Sequence, residues 1–76
     1  MNVEILTPDK TLFSGDAEFV TLPGSNGSFQ VFENHAPLIA NLAKGTVSIK
    51  SASGIESFTV NGGLVEVLKN KVVVLV

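Results

Sequence analysis

Site chemistry needs nucleophiles, titratable groups or metal ligands, and this chain holds few: one histidine, seven carboxylates, no cysteine, tyrosine or tryptophan. His35 has no Cys or Ser at a spacing that would pair a nucleophile with its base. A metal centre takes three or four protein ligands, and one imidazole supplies one of them. The carboxylates of Glu4, Asp9, Asp16, Glu18, Glu33, Glu56 and Glu66 fall on separate segments, so no acid/base pair is formed locally. Lys44-Gly45-Thr46 has the wrong order for the end of a phosphate-binding loop and lacks its upstream glycine. Asn26-Gly27-Ser28 fits a glycosylation acceptor, but Asn-Gly is itself a hairpin signature, and the turn reading is the better one. His35 is therefore read as a structural or interface residue. No catalytic residue, metal, cofactor or small-molecule ligand is expected.

Composition points instead to a protein partner. The 76 residues suffice for a single domain over 1–76, near the lower size limit for independent stability. Folds this small are commonly supported by disulfides, a metal or a partner, and only the last is open to a chain without cysteine and with one histidine. An apolar fraction of 45% against 16% charged residues, with a mean hydropathy of +0.41, leaves apolar surface to be covered by another protein. The net charge is −2, arginine is absent and the lysines are scattered, so nucleic acid is excluded as a partner. The longest apolar run, Val72 to Val76, is far short of the roughly 20 residues that cross a bilayer, so no direct membrane insertion is expected. Met1-Asn2-Val3-Glu4 does not open a secretory signal, which fits a reducing, cytosolic setting.

The elements that would position any interface read as strands and turns throughout. Val3 and Ile5 alternate with polar neighbours until Thr7-Pro8-Asp9 breaks the run. Leu12-Phe13 is short. From Asp16 to Leu22 apolar residues occupy both faces, as in a strand covered on both sides. Asn26-Gly27 predicts a hairpin turn with positive φ at both residues, followed by Phe29 and Val31 on one face. Leu38 to Leu42 is read as an extended piece or a single turn. Thr46 to Lys50 is a half-exposed strand, Ser51 to Gly54 a loop, and Ile55 to Val60 its hairpin partner. Asn61-Gly62-Gly63 predicts a sharp bend before Leu64 to Leu68, and Lys69-Asn70-Lys71 a hairpin into Val72 to Val76. Phe13, Phe19, Phe29 and Phe58 are expected in the core, and Phe32 at the surface. Seven or more short segments with no helical period predict an all-β fold, a small flattened antiparallel β-sandwich or barrel.

Several of these segments carry a resemblance when taken in order: Leu12-Phe13-Ser14-Gly15, Glu18-Phe19-Val20-Thr21-Leu22-Pro23-Gly24, Asn34-His35-Ala36-Pro37-Leu38, and Asn61-Gly62-Gly63-Leu64-Val65-Glu66-Val67. In order and spacing the chain resembles the amino-terminal domain of the epsilon subunit of F-type ATP synthase. That resemblance implies a sandwich of about ten short strands in the rotating central stalk. The implied partners are the gamma subunit and the ring of c subunits, and the implied task is to couple them during ATP synthesis driven by proton transport. The implied location is peripheral, on the cytoplasmic face of the cell inner membrane.

The resemblance also marks interface candidates. The tip from Gly24 to Ser28, with Asn26 and Ser28, looks like the loop that faces the ring, and His35, Ala36 and Pro37 look like the segment near both ring and gamma. Phe32 and Glu33 complete the set. Departures from the family pattern fall at Ser28, where an acidic residue is frequent, at Gln30 for glycine, and at Glu33 for proline; Glu33 restores a negative charge nearby. Family members usually continue into two helices that inhibit hydrolysis and in some cases bind ATP, so neither property is expected of a chain ending at Val76. The alternative is a lipoyl- or biotinyl-type carrier domain, with Lys69 or Lys71 as the modified residue. A hydrolytic enzyme is a more remote third reading.

Overall fold

The computed structural model describes residues 1–76 and contains seven strands: β1 (Asn2–Leu6), β2 (Thr11–Asp16), β3 (Phe19–Gly24), β4 (Gly27–Phe32), β5 (Leu38–Ser51), β6 (Gly54–Leu68) and β7 (Lys71–Leu75). They form one sheet in the order β2-β1-β7-β6-β5-β3-β4. The count of seven, where the resemblance implied about ten, follows from β5 and β6, which are 14 and 15 residues long. Each runs through both layers of the sandwich and does the work of two short strands. Leu38 to Leu42 is accordingly the start of β5 and not a separate turn.

The corner between the layers lies at the sharp bend expected of Asn61-Gly62-Gly63. β5 and β6 stay paired from Leu38↔Val67 to Ser51↔Gly54, so Asn61-Gly62-Gly63 does not reverse the chain. It bends a strand that continues through it. Gly62 and Gly63 have φ of 129° and 146°, a region L side chains rarely adopt. Across them the inward residues change parity, from Phe58 and Val60 to Val65 and Val67, and on β5 from Leu38, Ala40 and Leu42 to Val47 and Ile49. A strand that switches its inward face cannot show one unbroken period of two.

The folded sheet encloses one core in which Val3, Ile5, Val65, Val67, Val72 and Val74 of the first layer meet Val20, Leu22, Val31, Val47, Ile49 and Val60 of the second. No buried polar side chain interrupts it. Valine dominates because β-branched side chains fill the narrow space over a pleated sheet in few rotamers. The aromatics are displaced to its margins. Phe13, Phe29 and Phe58 are half-buried against the core, with Phe13 and Phe58 closing one side edge to face at 6.1 Å. Phe19, expected inside, lies on the outer side and packs on Phe32 at 5.3 Å between ring centroids.

Two further local features differ from expectation. The sheet is not wholly antiparallel, because β7 inserts between β6 and β1 and runs parallel to β1, from Asn2↔Lys71 to Leu6↔Leu75. The β3–β4 turn is Ser25-Asn26, closed by Gly24↔Gly27, and of the expected pair only Gly27 has positive φ, at 126°. By contrast Lys69 and Asn70 both lie in the left-handed region, at 50° and 62°, as a tight two-residue hairpin turn requires.

Candidate functional site

The candidate residues occupy two places. Asn26 and Ser28 are exposed at the tip of the β3–β4 hairpin, while Phe32, Glu33, His35 and Ala36 lie at the far end of β4 and in the loop that leaves it. Four residue steps along β4 separate Ser28 from Phe32, about 13 Å at a strand's rise per residue. The structure therefore does not gather the set into one patch.

Each group is held by specific contacts. At the tip, the Ser25 N–H and hydroxyl both donate to the Asn41 carbonyl, at 3.0 and 3.3 Å, fixing the hairpin against β5. Gly24 is required there, since a Cβ would meet the Gly27 carbonyl at 2.6 Å and the Phe29 ring at 2.8 Å. In the loop, Asn34 adopts the left-handed conformation at φ 63°, and its N–H donates to Oδ1 of Asn70 at 2.8 Å. That bond ties the loop to the β6–β7 turn. The His35 N–H donates to the Phe32 carbonyl at 3.2 Å, and its Nδ1 meets the Ala36 carbonyl at 2.6 Å, a contact satisfied by the Nδ1–H tautomer. Glu33 approaches the amino-terminal ammonium at 4.0 Å, while Phe32 is 52% exposed. The His35 ring is thus engaged by its own loop.

A third surface was not foreseen. On the outer side of the first layer, Leu6, Leu75 and Leu64 pair across three strands with Asn41 beside them, and Ile39, Leu68 and Val73 extend the patch. Ile39 is 67% exposed, Leu68 and Leu75 nearly half. The charges among them are Glu4, Glu66 and Lys71, with Lys71 and Glu4 paired at 3.3 Å. The signal was present in Val72 to Val76 and Leu64 to Leu68, whose apolar residues cannot all point inward from a strand. The second layer is different. Its outer side carries a polar ladder, Gln30–Thr21–Ser48–Ser57, with hydrogen bonds of 3.1 Å from Gln30 to Thr21 and 3.3 Å between the two serines.

The chain matches the family described as ATP synthase, Delta/Epsilon chain, beta-sandwich domain, over residues 1–76. It belongs to that family. Among curated relatives it is 37% identical over 75 residues to the ATP synthase epsilon chain of Leptospira borgpetersenii, covering 99% of this chain and 59% of the relative. It is 42% identical to that of Delftia acidovorans over 76 residues, covering 99% and 55%, and 44% identical to that of Sulfurimonas denitrificans over 77, covering 100% and 59%. The chain thus spans between 55% and 59% of the length of these three relatives. The sandwich superposes on a chain of the Tetrahymena thermophila mitochondrial ATP synthase central stalk and c-ring, with a TM-score of 0.84 at 21% identity, covering 97% of this chain and 60% of that one. A chain of the Euglena gracilis mitochondrial enzyme gives a TM-score of 0.88 at 17% identity, covering 96% and 48%. At those identities the likeness is one of fold. The carrier-domain alternative gives way to this membership in the epsilon-type family.

Proposed function

We propose that this epsilon-type sandwich is a non-catalytic part of the central stalk of a proton-translocating F-type ATP synthase, coupling the gamma subunit to the c-ring. The observation that carries the reading is the apolar outer side of the first layer. Exposed leucine, isoleucine and valine set around Glu4, Glu66 and Lys71 on so small a domain call for a protein cover, and the gamma subunit is the cover that a stalk position supplies. The tip adjoins this patch through Ser25 and Asn41, and its residues Asn26 and Ser28 face the polar loops of the ring. Phe32, Glu33, His35 and Ala36, at the other end of β4, form a second contact region. Coupling of this kind is mechanical. It needs a stiff body with two attachment surfaces and no reacting group, and the complex holds it peripherally at the cytoplasmic face of the inner membrane.

Co-purification tests the reading. The folded chain is expected to retain a gamma subunit from the same cell in low salt, and Leu75→Glu is expected to release it while leaving the fold intact. A folded chain that fails to associate with gamma overturns the assignment.

A further inference from the structure

Two Asn-Gly pairs occur in the chain, Asn26-Gly27 and Asn61-Gly62, and the fold holds them differently. An asparagine followed by glycine can react with its own backbone. The glycine nitrogen attacks the side-chain carbonyl carbon, a five-membered imide closes, and the side-chain nitrogen leaves as ammonia with the proton the main chain gives up. Water then opens the imide at either of its two carbonyls. Glycine favours the closure because no side chain obstructs its nitrogen and its torsions turn freely. What the fold decides is whether that nitrogen can swing toward the asparagine side chain.

At the tip little opposes the motion. Asn26 and Gly27 are both exposed, and Asn26 is one of only two residues between β3 and β4. The anchor to β5 is made by the N–H and hydroxyl of Ser25, while the Asn26 side chain has no hydrogen-bond partner. Beyond the chain neighbours of Gly27, nothing lies within 4 Å of where its Cβ would stand. The Gly24↔Gly27 pair is the last rung of its ladder, the position that opens most readily.

Asn61-Gly62 is constrained although Asn61 is also exposed. It lies inside β6, between the rungs Lys44↔Asn61 and Leu42↔Gly63. A Cβ on Gly62 would already stand 3.4 Å from the Leu42 carbonyl oxygen. Turning the Asn61–Gly62 peptide toward the Asn61 side chain would break the β5–β6 ladder on both sides of the corner.

We propose that Asn26 is a self-modification site of the folded chain, converted through the imide to aspartate or isoaspartate, while the β5–β6 ladder protects Asn61. The net change is one water consumed and one ammonia released, with no oxidant or reductant. Either product puts a carboxylate, ionised at neutral pH, on a tip whose residues Gly24 to Ser28 carry no charge. Isoaspartate also routes the main chain through Cβ, adding one carbon to a two-residue turn. The site does not depend on the stalk reading. A partner that covers the tip would slow the reaction, so the modification belongs to the free chain.

Peptide mapping by mass spectrometry tests it on the 76-residue chain at mildly alkaline pH, folded by circular dichroism, with the same chain in concentrated urea as reference. In urea the two pairs are expected to react at similar rates. In the folded chain Asn61 is expected to slow at least about tenfold, because its reaction waits for local opening, while Asn26 stays within about threefold of its urea rate. Isoaspartate at position 26 marks the imide route. Rates in the folded chain that are equal at the two pairs, whether both fast or both slow, or that are higher at Asn61, overturn the proposal. Aspartate at position 26 without isoaspartate overturns it as well.

Discussion

The two outer sides of this sandwich are built from the same long strands and differ in chemistry. The first exposes aliphatic residues around Glu66, whereas the second has a polar ladder bordered by Phe19, Phe32 and Ile55. Along β6, Leu64 and Leu68 face outward from the first layer, while Ser57 and Thr59 face outward from the second. The change occurs at Gly62-Gly63, where the inward positions shift by one residue. A single hairpin can thus present a mainly aliphatic outer face in one layer and a row of hydroxyl side chains in the other. Neither strand propensity nor overall hydropathy separates the two; the position of the corner does.

The corner is also where that contrast is most easily broken. Gly63→Val is expected to have the largest effect, because a Cβ at Gly63 would overlap the Leu75 carbonyl oxygen and φ is unfavourable for any L side chain. A loss of about 3 kcal/mol or more in urea unfolding follows from strain and clash combined. Next comes the apolar side itself: Leu75→Glu is expected to weaken gamma binding about tenfold to a hundredfold by titration calorimetry. Its counterpart in the polar layer, Thr46→Glu, should change that affinity less than about twofold, rim and remote charges contributing little to affinity. Equal effects from the two would erase the distinction between the sides.

Smaller effects sharpen it. Asn70→Ala removes the acceptor for the Asn34 N–H and places a Cβ-bearing residue without Asn's local hydrogen bonding at φ 62°. A cost of about 1–2 kcal/mol is expected, with Asn70→Gly milder because glycine accepts that conformation. Glu4→Gln breaks the Lys71 pair on the apolar side, where both partners are partly exposed, and is expected to cost under about 1 kcal/mol, less still in high salt. ATP is expected to leave the melting temperature of the 76-residue chain unchanged; a shift with ATP that inorganic phosphate does not reproduce contradicts this.

Much of the fold was legible because alternation and turn chemistry are local. Val3/Ile5, Val47/Ile49 and Val65/Val67 announce inward faces, and Lys69-Asn70 sits where a hairpin was expected. What was not legible depends on long-range geometry. The double glycine announced a sharp bend, yet not that one strand, Gly54–Leu68, continues through it. Asn-Gly suggested a turn centred one residue late, since Gly27 serves as the first residue of β4. Phe19 carries no mark that its face lies outside, because that depends on the second layer closing over Val20 and Leu22 instead. The interface candidates were read from a contiguous run, and β4 spreads them to opposite ends. The apolar outer side went unrecognised because its residues come from four strands distant in sequence.

The insertion of β7 beside β1 has a consequence for biosynthesis. The first strand of the sandwich has its seventh as one of its neighbours in the sheet, so Val3 and Ile5 have no finished core to enter until β7 has emerged. Until then the growing chain holds hydrophobic strands with open edges, and its closure depends on distant contacts that are slow to form. The first layer therefore has no complete surface to offer until its seventh strand is in place.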